Sequence, residues 1–124
     1  MTRSGLVYTP KQTRDFEKAV RLAAKDAMTV QDFEQITSGY VDMRCIFYFE
    51  PPHSWSKKRR EAAMLRKHHK CSKPDTSNLV KAVEDALNKL VYDDDARIAE
   101  SHQAKQYGPQ DCIYVEIHAV DEEV

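Results

Sequence analysis

No stretch of this chain approaches the run of about eighteen apolar residues that a membrane-crossing helix requires, so nothing in it reads as membrane-spanning. The opening MTRSGLVYTP lacks the apolar core of a signal peptide, and the chain reads as cytoplasmic. Cysteine is sparse. Cys45, Cys71 and Cys112 are odd in number, widely spaced and form no CxxC pair, which excludes a disulfide framework and a zinc knuckle and leaves free thiols. No internal repeat, low-complexity tract or linker divides the sequence, so residues 1–124 read as one domain with one core. Hydrophobic residues at 41% beside charged residues at 31% exclude a disordered chain.

A net charge of −1 argues against a protein that coats DNA indiscriminately, but the charges are segregated. Between positions 57 and 73 stand Lys57, Lys58, Arg59, Arg60, Arg66, Lys67, Lys70 and Lys73, opposed only by Glu61. Further on, Asp93, Asp94 and Asp95 are consecutive, and the chain closes on Asp121, Glu122, Glu123 and Val124. A basic segment beside an acidic cluster suits a metal-dependent enzyme acting on a polyphosphate. Solvated loops of mixed charge are the plainer reading of the same pattern.

Phe16, Ala19, Val20, Ala23, Ala27 and Met28 recur at helical spacing after Pro10, with Thr13 as a candidate N-cap. After Gly39, YVDMRCIFYFE alternates and is rich in aromatic and β-branched residues, which predicts a strand stopped by Pro51 and Pro52. Ser54 or Ser56 opens a short basic helix, and RKHHKCSKPD reads as loop. The stretch TSNLVKAVEDALNKLV carries a stripe of Leu79, Val80, Val83, Ala86, Leu87 and Leu90, which predicts a second long helix ended by the aspartates. Two strands follow, ARIAESHQAKQY and DCIYVEIHAV, separated by a turn at Gly108-Pro109. The order implies an α+β domain, a small mixed sheet with helices packed on it.

Asp75 precedes the second long helix and Asp94 and Asp95 follow it. At about 1.5 Å per residue that helix is roughly 22 Å long, so its ends share a metal only if the chain doubles back afterwards. Magnesium takes hard oxygen ligands, commonly one or two carboxylates with waters and substrate phosphate. Lys81, about a turn and a half beyond Asp75, is placed to stabilise developing negative charge. Structural roles compete for each: Asp75 after Pro74 suits a helix cap, Lys81 and Asp85 an ordinary (i, i+4) pair, and the aspartate run a polar turn. His68 and His69 lack a third ligand and read as phosphate contacts or solvent-exposed residues. Phe47, Phe49 and Trp55 read as packing residues rather than platforms for bases.

The block KPDTSNLVKAVEDALNKLVYDDDARI resembles the signature of the RusA family of Holliday junction resolvases, usually carried by phages and prophages. Lys73, Pro74, Asp75, Asn78, Leu79, Lys81, Asp85, Ala86, Leu87, Asn88, Tyr92, Asp94, Asp95 and Ile98 all fall on its pattern, and VYTPKQTRDFE, PPHSWSKKRREAA and AKQYG extend the likeness over most of the chain. The resemblance implies a dimeric endodeoxyribonuclease nicking branched DNA symmetrically with Mg2+ or Mn2+ in a bacterial host cell. It implies Asp75 and Asp95 as catalytic metal-binding carboxylates, Asp94 as a supporting acid and Lys81 as a catalytic lysine. Phosphate contacts would fall to Lys57, Lys58, Arg59, Arg60, Lys67, Lys70 and Lys73. Two departures stand out. Ser77 replaces the second acid of the family's D-x-D, leaving Asp93, Asp85 or a water on the Ser77 hydroxyl to compensate, or else a branched-DNA-binding protein without cleavage. The chain also starts near the part matching SGLVYTP, so the family's opening strand is expected to be missing.

Overall fold

The computed structural model of the protein describes residues 2–7 and 13–122. In chain order they form β1 (Thr2–Val7), α1 (Thr13–Gln31), β2 (Tyr40–Phe49), α2 (Lys57–Met64), α3 (Thr76–Leu87), a 3₁₀ turn at Asp95–Arg97, β3 (Ile98–Tyr107) and β4 (Cys112–Val120). The four strands make one mixed sheet in the order β1-β4-β2-β3, with β2 and β3 parallel and the other pairs antiparallel. This is the expected α+β arrangement.

Strand alternation sets the two faces of the sheet. Met43, Cys45 and Phe47 of β2 sit beside Ile117, Val115 and Ile113 of β4, and all six are buried. Phe16, Val20 and Ala24 of α1 and Val80, Val83, Ala86 and Leu87 of α3 join them in one core cluster. Both long helices therefore bury the apolar stripe that their 3.6-residue period presents. Arg21 of α1 donates through one guanidinium nitrogen to the carbonyls of Ala86 and Asn88, each at 3.1 Å, and so caps the C-terminus of α3 with a cation.

Four local outcomes differ from the sequence reading. Thr13, expected as a cap, is the first residue of α1, and the residue before it lies outside the described ones. A strand, β1, occupies the sheet edge beside β4, on a segment to which none was assigned. The second long helix stops at Leu87, ahead of the aspartates: Asn88 is extended and Lys89 has a positive φ of 62°. Gly108 begins a crossing rather than a hairpin, because β2 lies between β3 and β4, and its N–H bonds Phe49 O at the end of β2. Gly39 is required where it stands, since at φ +72° an added Cβ would meet the Val120 carbonyl oxygen at 2.2 Å.

Candidate active site

The return of the chain after α3 brings Asp95 to the helix. Tyr92, fully buried, donates its hydroxyl hydrogen bond to Glu84 O at 2.9 Å and pins the segment between α3 and β3 against the last turns of the helix. Asn88 Oδ1 then accepts from the backbone N–H of Asp95 at 3.1 Å. Lys81 Nζ lies 3.0 Å from Asp85 Oδ1 and 3.9 Å from Asp95 Oδ2, so two carboxylates face one ammonium. The hydrogen bond to Asp85, and then the charge of that carboxylate, hold Lys81 above the ordinary lysine range, with Asp95 and Glu84 adding to the effect.

The other acids are disposed differently. Asp75 forms the N-cap position of α3 without a side-chain cap bond, and its carboxylate pairs instead with Lys73 at 3.0 Å. Asp94 caps the 3₁₀ turn by accepting from Ala96 N at 2.8 Å, a bond that holds its carboxyl below the usual range. Asp93 is gripped by both arms of the Arg97 guanidinium, which lowers its pKa and commits it to structure; Arg97 also donates to Gly39 O at 3.1 Å. Ser77 is the second residue of α3 and is exposed, so the structure uses it neither as a cap nor in a buried site.

Two positions escaped the sequence reading. Glu84, half-buried one turn after Lys81, has its carboxyl pushed up by burial; Lys81 opposes the shift, and the charges of Asp95 and Asp85 add to it. Lys105, on the strand that runs back past α3, donates to Ser72 O at 2.9 Å and Pro74 O at 3.0 Å and so holds the loop that carries Asp75. Neither could be found by spacing, because one is a helix-surface acid by period and the other acts on backbone thirty residues away.

The donor chemistry fits a hard divalent ion held by one or two carboxylates with water and phosphate. Asp85 and Asp95, both paired with the Lys81 ammonium, are two such carboxylates. Among the described residues no group of three His, Cys, Asp or Glu could hold a metal ion, so Asp75 does not complete a three-acid cage.

The cationic residues lie on α2 and the loop after it. Ser56 caps α2 by accepting from Arg59 N at 3.2 Å, and Lys57, Lys58 and Arg59 are exposed on its first turn. Arg60 is 3.6 Å from Glu50, and Lys57 is 3.9 Å from Glu61. Lys67, His68, His69 and Lys73 are exposed, while Lys70 lies over the Phe49 ring at 4.9 Å. No described helix is long and apolar enough to cross a membrane.

Lys81 thus stands between a helix-borne and a loop-borne acid, and the exposed cations of the chain gather on α2 and the loop that leads to α3. The model of the family described as Endodeoxyribonuclease RusA matches residues 1–118, and the chain belongs to that family. It is also similar to the protein named Uncharacterized protein YqaN of Bacillus subtilis (strain 168), at 34% identity over 122 residues, covering 95% of this chain and 83% of that one.

Proposed function

We propose that this chain is a metal-dependent, structure-selective endodeoxyribonuclease that resolves four-way DNA junctions by paired symmetric nicks, acting as a homodimer. The observation that supports it most is the Lys81 ammonium held between Asp85 and Asp95, in a chain whose exposed cations gather on α2 and the loop after it. Asp75 and Asp95 would hold Mg2+ or Mn2+, with Asp94 adjoining. When bound, the ion supplies an activated water and polarises the scissile phosphodiester. Lys81 provides positive charge for the transition state, and Asn88 fixes the backbone of Asp95. Of the acids available to replace the one lost at Ser77, Asp93 is taken by Arg97, and Asp85 already faces Asp95 across Lys81. Lys57, Lys58, Arg59, Arg60, Lys67, Lys70 and Lys73 hold the junction arms through phosphates, with branched shape providing selectivity. Two sites related by a two-fold axis nick opposing strands.

Ser77 and the pairing of Asp75 with Lys73 favour a second reading, a branched-DNA-binding protein that does not cut. Both readings give salt-sensitive junction affinity. Cleavage of a labelled synthetic four-way junction with Mg2+ or Mn2+ separates them, comparing wild type, Asp75→Asn and Ser77→Asp, with binding measured in EDTA. Paired nicks lost in Asp75→Asn establish the nuclease. Binding without nicks, rescued by Ser77→Asp, establishes the silent protein.

A further inference from the structure

The geometry points to a nucleobase pocket under α2, separate from the carboxylates and built around the chain's single tryptophan. A cavity of about 610 Å³ opens between α2, the end of β2 and the crossing from β3 to β4. That volume falls within the range of cavities that enclose small ligands. Its apolar lining comes from Trp55, Pro51, Pro109, Met64 and Leu65. Leu65 is 68% exposed and Met64 38%, although both are large apolar residues on a chain with ample charge to place there. Trp55 itself is held from two sides, by the Arg59 guanidinium 3.7 Å from its ring centroid and by Tyr107 edge-on at 5.4 Å.

Charge selects the occupant. Lys57 and Arg60 line the rim, each already paired with a carboxylate, Glu61 and Glu50 respectively. Among the described residues no carboxylate pairs with Lys58 or Arg59, so the surface beside the cavity keeps uncompensated positive charge. An apolar slot with an indole wall, acceptors at its rim and cations without carboxylate partners beside it matches a flat heterocycle with phosphates attached. Base stacking on aromatic side chains tolerates any base, and guanidinium groups extend the platform. Bases that are already unpaired are the cheapest to draw out of a stack. Trp55 thus packs on Tyr107 and also presents a surface that a base can use, beyond the packing role expected of it.

This inference rests on the DNA-processing reading, and its test is chosen to fail independently of that reading. The emission of Trp55, the only tryptophan, reports directly on the cavity. In EDTA at low salt, a ten-nucleotide thymine strand and an abasic strand of the same length and charge are titrated separately, with a four-way junction in parallel. The pocket requires that the thymine strand quench Trp55 and bind about tenfold tighter than the abasic strand. It also requires that Leu65→Gln, a change at an exposed position, remove that preference. Equal affinity of the two strands with unchanged emission overturns the pocket, even if the junction binds. Emission that changes on dilution of the protein alone assigns the cavity to a second copy and likewise overturns it. Quenching by thymine without junction affinity keeps the pocket and removes the junction reading instead.

Discussion

Lys105, near the end of β3, donates to the Pro74 carbonyl at 3.0 Å, so the strand that follows the acidic run ties down the loop that precedes α3. The same ammonium reaches Ser72 O at 2.9 Å, and the two bonds set where Asp75 enters the helix. Lys105→Met keeps most of the aliphatic stem and removes both bonds. Each net bond is worth about 1 kcal/mol, so the fold should survive with a small loss of melting temperature. Misplacing a reacting group by a fraction of an ångström costs more in rate than in stability, and junction nicking should fall about tenfold or more. An unchanged nicking rate would show that the Asp75 loop is positioned without Lys105.

Lys81 makes a sharper prediction because two carboxylates converge on it. Lys81→Met should reduce nicking by about a hundredfold or more, the scale of losing one charge-stabilising group. Junction affinity in EDTA should hardly change, since α2 and its loop retain their cations. Binding of Mn2+ alone should be no weaker than in wild type, because Asp95 loses the ammonium that competes for it. Weaker Mn2+ binding would mean that Lys81 organises the acids instead of acting on the phosphate. Lys81→Arg should restore little, as a planar guanidinium does not place a point charge where the ammonium sits.

The elements legible in the sequence are those whose period matches their burial. α1, α3, β2 and β4 each bury one regular stripe, and each was assigned from that stripe. β1 was missed because TRSGLV is short, contains glycine and alternates poorly. The end of α3 was placed late because Leu90 and Val91 continue the apolar character of the helix, yet Val91 is buried from a turn whose backbone hydrogen bonds reach Ile36. At the site, the resemblance pointed to Asp75, Asp94, Asp95 and Lys81, with Asp85 and Asn88 as further matches to the pattern; the structure sets Lys81 between Asp85 and Asp95 and bonds Asn88 to the backbone of Asp95. What spacing could not convey is which acids are already engaged: Asp93 by Arg97, Asp75 by Lys73 and Asp94 by the backbone of Ala96. Those partners are fixed by tertiary geometry.

Arg21 links the two long helices and should matter for stability rather than chemistry. Its two 3.1 Å bonds satisfy carbonyls at the end of α3 that have no partner within the helix. Arg21→Ala should cost about 2 kcal/mol, since a charged donor is lost and two partly buried carbonyls are left to water. For a domain of this size that is a fall of roughly 6–10 °C in melting temperature. The end of α3 leads directly to Asn88, which holds Asp95, so nicking should fall as well, and amide exchange should rise first at residues 86–91. A melting temperature within about 1 °C of wild type would show the cap to be idle.

Cys45 and Tyr92 make alkaline pH a probe of the core. Burial, with the charge of Glu84 adding to it, pushes the Cys45 thiol up to about 12, and burial followed by Glu84 also raises the Tyr92 phenol. In the unfolded chain a thiol titrates near about 8.5 and a phenol near about 10. A folded-state pKa above the unfolded value gives stability that is complete below the unfolded pKa and is lost as pH climbs toward the folded one. The protein should therefore hold its stability to about pH 8.5, then lose it progressively toward pH 12 as the unfolded chain alone ionises, with Tyr92 contributing only above about pH 10. Cys45→Ala leaves a small cavity and lowers stability at every pH, but it removes the first part of the alkaline slope. Urea midpoints measured from pH 7 to 10 should fall for the wild type above about 8.5 and fall less for Cys45→Ala, where the Cys112 thiol, also raised by burial, supplies what slope remains. Parallel curves for the two proteins would show that the buried thiol is not the group responsible.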